Sequence, residues 1–153
     1  MEQQYTQQYQ QPYLPQPPQR QLPTDRNLGI VILLSIVTLG IYGIVFYYQI
    51  GDEINLTASR ADGKQTMNYV GCIFLSLVTL GIYGLVWMHK MSERVGDEAA
   101  RRNTGVQFSA ADFWLWSVLL SCTVVGAFIG PFVYQYKLIQ ASNAINLSYN
   151  IYG

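Results

Sequence analysis

Charge is scarce in this chain. Only 12% of its 153 residues are Asp, Glu, Lys or Arg, about half the share usual in a soluble domain. The 9 basic and 9 acidic groups cancel, so the sequence lacks the electrostatic footprint of a nucleic-acid binder. Histidine occurs once, as His89 beside Lys90 at the end of an apolar run, a place that suits an interface better than catalysis. The two cysteines, Cys72 and Cys122, lie inside apolar runs with no CxxC partner and no histidine nearby. Each reads as a small buried hydrophobe rather than a metal or redox group. Asp52, Glu53, His89, Glu93 and Asp97 are polar candidates near the runs, but they share no catalytic spacing. The sequence therefore predicts neither an enzyme nor a cofactor or metal site.

What the chain has instead is uncharged length. Three runs carry no ionisable acid or base other than tyrosine and cysteine: Leu28 to Ile50, Tyr69 to Met88 and Phe113 to Tyr136. About 20 apolar residues cross a bilayer as a helix, so each run qualifies by length. The third is framed by Phe113, Trp114 and Trp116 at one end and Phe132, Tyr134 and Tyr136 at the other. Trp116 and Tyr136 would stand about 30 Å apart along one helix, which matches two interfacial belts.

The first two runs share a repeat. Leu34-Ser35-Ile36-Val37-Thr38-Leu39-Gly40-Ile41-Tyr42-Gly43 returns as Leu75-Ser76-Leu77-Val78-Thr79-Leu80-Gly81-Ile82-Tyr83-Gly84, changed only at Ile36 against Leu77. The third run reads as a diverged copy, with Gly126 and Gly130 aligned to the two glycines, Pro131 following, and the Thr and Tyr missing. Thr38, Gly40, Tyr42 and Gly43, with Thr79, Gly81, Tyr83 and Gly84, are expected to break or kink a helix. Glycine weakens helix, and a threonine hydroxyl can satisfy a freed carbonyl one turn back. Gly126, Gly130 and Pro131 combine a close-packing face with a kink.

Polar segments frame these runs. Residues 1–25 hold nine Gln, five Pro and three Tyr and almost no aliphatic residues. This composition predicts a disordered tail of polyproline II character. A minimal PxxP at Pro12 to Pro15 is expected by chance there. Within the second connector, Ser92 to Asn103 reads as a solvated helix with acid-first pairs Asp97–Arg101 and Glu98–Arg102.

The repeated Val-Thr-Leu-Gly-Ile-Tyr-Gly, with Leu85-Val86-Trp87 after its second copy, resembles a family of bacterial membrane proteins. That family is marked by a TLGIYGIYW-like motif and is catalogued as a domain of unknown function. Phe113-Trp114-Leu115-Trp116, the Gly130-Pro131-Phe132-Val133 step and the close on Ser148-Tyr149-Asn150 resemble it too. The resemblance covers roughly residues 26–150 and implies a multi-pass membrane protein with no established activity. It carries no catalytic residue over to this chain.

Together these readings predict an all-α integral membrane protein. Three kinked transmembrane helices, over about 28–50, 69–88 and 113–136, form a membrane domain (26–153) behind the tail. With single crossings, six basic residues on the amino-terminal side face three on the other. That places the amino terminus in the cytoplasm of a multi-pass protein of the cell membrane. A competing topology makes each copy a re-entrant hairpin turning at Gly-Ile-Tyr-Gly, so that near-identical copies see the same leaflet. The expected role is a non-enzymatic scaffold or accessory subunit whose partners are the lipid bilayer and either a second copy or another membrane protein. The alternative is a small channel or transporter with a broken-helix pathway.

Overall fold

The computed structural model describes residues 17–153, and its regular structure there is entirely helical. The first uncharged run supplies α1 (Leu28–Val37) and the start of α2 (Ile41–Asp62). The second supplies α3 (Tyr69–Val78) and the start of α4 (Ile82–Arg101). The third opens just after a single turn, α5 (Ala110–Asp112). It widens into a π-helical stretch (Phe113–Leu119), tightens into a 3-10 turn (Leu120–Cys122) and continues as α6 (Val124–Tyr152). Among the described residues, no helix is long and apolar enough to cross a membrane.

The expected three kinked helices are therefore corrected to three hairpins, because each run reverses direction in its middle. In the first, Ser35 on α1 faces Gly43 on α2. In the third, the Phe113 and Tyr134 rings meet edge to face at 5.7 Å between centroids. A continuous helix would hold those two rings about 30 Å apart. The aromatic groups read as two belts lie near one another.

Polar caps start the outgoing arms. Asn27 accepts a hydrogen bond from the Gly29 amide at 2.8 Å, and Asn68 accepts one from Gly71 at 2.8 Å. Each cap satisfies an amide that the first helical turn leaves free. Ser109 and Asp112 form a full capping box at the third start.

The three long arms run in one sense, because contacts advance together along them. Trp87 of α4 packs on Gly51 of α2. Further along, the Ser92 and Tyr134 hydroxyls are 2.7 Å apart. At the end, Arg102 donates to the Thr57 carbonyl at 3.2 Å and the Gly153 carbonyl at 3.4 Å. The three reversals thus lie at one end, the tips. The charged connectors lie at the other, the base.

The base has its own core. α2 buries Phe46, Ile50, Ile54 and Ala58, and α4 buries Trp87, Met91, Val95 and Ala99. Both stripes recur every fourth residue, the spacing that keeps side chains on one helical face. The stretch from Ser92 onward is therefore not a separate solvated helix but the packed end of α4. Asp97 and Arg101 do not pair. Glu98, buried on the inner face, accepts from both Arg101 and Arg102 at 2.5 Å.

Of the tail expected over 1–25, residues 1–16 lie outside the described residues, as does the PxxP match. From Gln19 to Arg26 the chain lies extended along α6, held by asparagines. Asn150 accepts from the Leu22 amide and donates to the Leu22 carbonyl, both at 2.8 Å. Asn143 does the same for Arg26, at 3.3 and 2.9 Å. Asn146 donates to the Pro23 carbonyl at 2.8 Å. Spaced three and four residues apart, the three amides share one face of α6.

Candidate functional site: three apolar hairpin tips

The first tip is a helix end closed by threonine. The Thr38 hydroxyl donates to the Leu34 carbonyl at 2.7 Å and accepts from the Tyr42 amide at 2.9 Å. One side chain thus closes the last turn of α1 and opens the first turn of α2. The backbone reverses between them. Leu39 and Gly40 take φ of 52° and 91°. The Gly40 amide reaches back to the Ser35 carbonyl at 2.7 Å and the Leu39 amide to Ile36 at 3.1 Å. These are the paired bonds of a Schellman ending, with leucine where glycine is usual.

The second tip repeats the first. Thr79 donates to the Leu75 carbonyl at 2.8 Å and accepts from the Tyr83 amide at 3.0 Å. Leu80 and Gly81 have φ of 52° and 90°. The reversal is thus at Thr-Leu-Gly, earlier than the Gly-Ile-Tyr-Gly turn of the hairpin topology. Tyr42 and Tyr83 belong to the first turns of α2 and α4, where they pack beside the core. Gly43 and Gly84 leave room for Ser35 and Ser76 of the opposing arms.

The third tip reaches a similar end by other means. Thr123, in extended conformation, donates to the Leu120 carbonyl at 2.9 Å and accepts from the Gly126 amide at 3.0 Å. So a threonine does stand at this turn, in a place the repeat alignment does not assign to it. Gly126 and Gly130 lie within α6 instead of at the reversal. A Cβ on Gly126 would collide with the Leu120 carbonyl oxygen, and one on Gly130 with that of Trp116. Their role is to let two backbones touch. Pro131 follows inside α6, and the helix continues through it.

What the tips present is apolar and uncovered. Leu39 is 94% exposed and Leu80 93%. Val37 and Ile41 flank the first, Val78 and Ile82 the second; Val124, Val125 and Phe128 crown the third. All are exposed, and no charged residue lies on any tip.

The base inverts this pattern, burying its polar groups. Arg26 donates to both carboxylate oxygens of Glu53, and both side chains are buried. Asn146 donates to Glu53 as well, at 2.9 Å. Arg94 donates to Asp62 at 2.6 Å, Asn55 at 2.6 Å, Thr66 at 2.8 Å, Ser59 at 3.0 Å and the Lys64 carbonyl at 2.7 Å. It ties α2, the 63–68 connector and α4 into one unit. Burial alone would raise the Asp62 carboxyl. The hydrogen bonds from Arg94 and the Lys64 amide, with the charges of both residues, outweigh burial and hold it below the ordinary aspartate value. Every buried side-chain nitrogen and oxygen among the described residues has a partner. Among the same residues, no group of three His, Cys, Asp or Glu is placed to hold a metal ion. Asp52 and Glu53 are drawn into ion pairs with Arg20 and Arg26. His89 accepts from the Trp114 indole at 3.2 Å. Glu93 and Asp97 line a groove beside α4.

Fold and tips together define a class: an all-α chain of repeated, apolar-tipped helical hairpins standing on a polar, ion-paired base. The chain belongs to the family described as Domain of unknown function (DUF4234), which it matches twice, over residues 26–97 and 70–143. Each match takes in two successive hairpins, and the second hairpin is common to both. No curated protein and no solved structure matches the chain.

Proposed function

We propose that this chain is a one-sided membrane protein: three hairpin tips enter a single leaflet, and the polar base stays in the aqueous phase as a scaffold for protein contacts. The carrying observation is the leucine at each of the first two tips. A left-handed backbone costs a leucine about 1–2 kcal/mol more than a glycine. Leu39 and Leu80 accept that strain while almost fully exposed, so no contact within the fold offsets it. Insertion into hydrocarbon would, since burying one leucine side chain contributes about 1.5–3 kcal/mol.

Dimensions support the same reading. α1 and α3 have 10 residues each, or about 15 Å of helix, half the 30 Å thickness of a hydrocarbon core. Trp87 of α4, and Trp114, whose indole donates to His89 of the same helix at 3.2 Å, lie below the tips, where aromatic rings favour the interface. All nine basic residues then belong to the aqueous side, which makes that side cytoplasmic. The ionisable groups of the base are largely consumed in joining helices, which favours a scaffold over a catalyst. A transport pathway draws no support from arms that turn back at mid-depth.

Cysteine accessibility in cells tests this. With Cys72 and Cys122 replaced by alanine, Ala61→Cys places one exposed thiol in the last turn of α2 and Gln107→Cys one in the segment before α5, both at the base. Both are expected to react with an impermeant thiol reagent only after lysis. Labelling of one of them on intact cells would restore crossing helices and overturn the proposal.

A further inference from the structure

One face of α4 runs from tip to base along a groove of about 630 Å³, walled on the other side by the end of α2 and the 63–68 connector. The face changes character once. Tyr83, Val86 and the Trp87 ring line the tip end, with Met67 opposite. Lys90, Glu93 and Asp97 follow on α4, with Lys64 facing them from the connector. These four are not joined in an ion pair, whereas the deeper Arg94 and Glu98 are already engaged. The groove is thus apolar at one end, and at the other Lys64, Lys90 and Arg101 stand beside Glu93 and Asp97, over a floor where Arg94 is paired with Asp62.

We propose that this groove binds a glycerophospholipid with a zwitterionic, primary-amine headgroup. The inference rests on the one-leaflet reading, which sets the junction between Trp87 and Lys90 at the membrane surface. Lys64 and Lys90 meet the phosphate. Glu93 and Asp97 take hydrogen bonds from the ammonium. The acyl chains leave past Val86 and Tyr83 toward the tip. A purely anionic headgroup would leave the two carboxylates facing like charge. A quaternary amine has no N–H to give them.

The test uses the full chain, purified in mild detergent and exposed to an equimolar mixture of phosphatidylethanolamine, phosphatidylcholine and phosphatidylglycerol. Retained lipid is read by native mass spectrometry. Wild type is expected to keep the ethanolamine lipid about five-fold over the choline lipid. Glu93→Gln with Asp97→Asn should bring that ratio to about one, while Lys64→Gln with Lys90→Gln should lower retention of all three. Equal retention of the three lipids by wild type, a preference for phosphatidylglycerol, or ratios unchanged in both variants would overturn the proposal. Flotation of the same proteins with vesicles separates it from the insertion reading. Variants that float like wild type but lose the preference place the effect in the groove, and a wild type that does not float refutes insertion itself.

Discussion

The first two hairpins and the third reverse the chain with different chemistry. In the first two, a Thr-Leu-Gly step bends two left-handed residues around a threonine hydroxyl. In the third, a π-helical stretch and a 3-10 turn bring the chain to an extended Thr123, and glycines let the arms touch backbone to backbone. The threonine hydroxyl is shared by all three. The strained leucine and the backbone contact are alternatives. A reversal between two helices needs its end groups satisfied in every case, while the path of the chain around them is free to differ.

The comparison breaks most sharply at the contacting glycines. Gly126→Ala or Gly130→Ala drives a methyl group into a carbonyl of the opposing arm, and a backbone partner cannot rotate away. Each is expected to cost about 3 kcal/mol or more, read as a lower melting temperature in detergent. Gly43→Ala, whose added methyl meets only the Ser35 hydroxyl in ordinary contact, should be neutral or stabilise by up to about 1 kcal/mol, since alanine favours helix over glycine. Equal losses in the two hairpins would show that the backbone contact carries no special weight.

Strain at the first two tips gives a smaller and two-signed effect. Gly40→Ala adds no clash but forces alanine to a φ of 91°, at about 1–2 kcal/mol. Leu39→Asn is expected to act the other way on stability, since asparagine tolerates the left-handed region. It should stabilise the protein in detergent by up to about 1 kcal/mol and weaken its flotation with vesicles. Weaker flotation without added stability would mean that Leu39 is not strained.

Much of this was legible in the residues, and the rest failed for identifiable reasons. The Thr-Leu-Gly-Ile-Tyr-Gly repeat marks where helices cannot continue, because glycine and a back-bonding threonine both act locally. Whether the chain then bends or reverses depends on left-handed backbone at Leu39 and Leu80, which no propensity assigns to leucine. Hydropathy measures length without direction, so a folded-back run and a spanning run read alike. The third turn hid its threonine because alignment on glycines put Gly126 at the reversal, whereas Thr123 precedes it. In the base, Trp87, Met91, Val95 and Ala99 recur every fourth residue and would have shown that α4 continues as a packed helix. The spacing of Asn143, Asn146 and Asn150 would have shown a polar face on α6. That it holds residues 19–26 is a contact across more than a hundred positions, which local pattern does not carry.

The shared hydroxyl sharpens the comparison further. Thr38→Val and Thr123→Val remove one donor and one acceptor from a helix junction at nearly constant volume. Each is expected to cost about 1–2 kcal/mol, with Thr38→Ser and Thr123→Ser close to wild type. Similar losses at both sites would establish the hydroxyl as the common element of two unlike turns. A loss confined to Thr38 would show that the glycine contacts alone hold the third hairpin.

The smallest effect sets the base against the tips. Asp62 titrates below its ordinary value because Arg94 and the Lys64 amide favour its charged form over the cost of burial. Its folded value lies below its unfolded one, so its contribution is complete above the unfolded value. It is lost as pH falls through the folded value, in the acid range below about pH 4. Melting in detergent should therefore weaken on acidification, and Asp62→Asn should flatten that part of the curve while lowering stability at neutral pH. The tips hold no carboxylate, so Gly40→Ala or Thr38→Val should displace the whole curve without changing its acid slope. An acid slope that survived Asp62→Asn would show that the Arg94–Asp62 pair is not its source, whereas a slope altered by Gly40→Ala or Thr38→Val would show that the tips respond to protons after all.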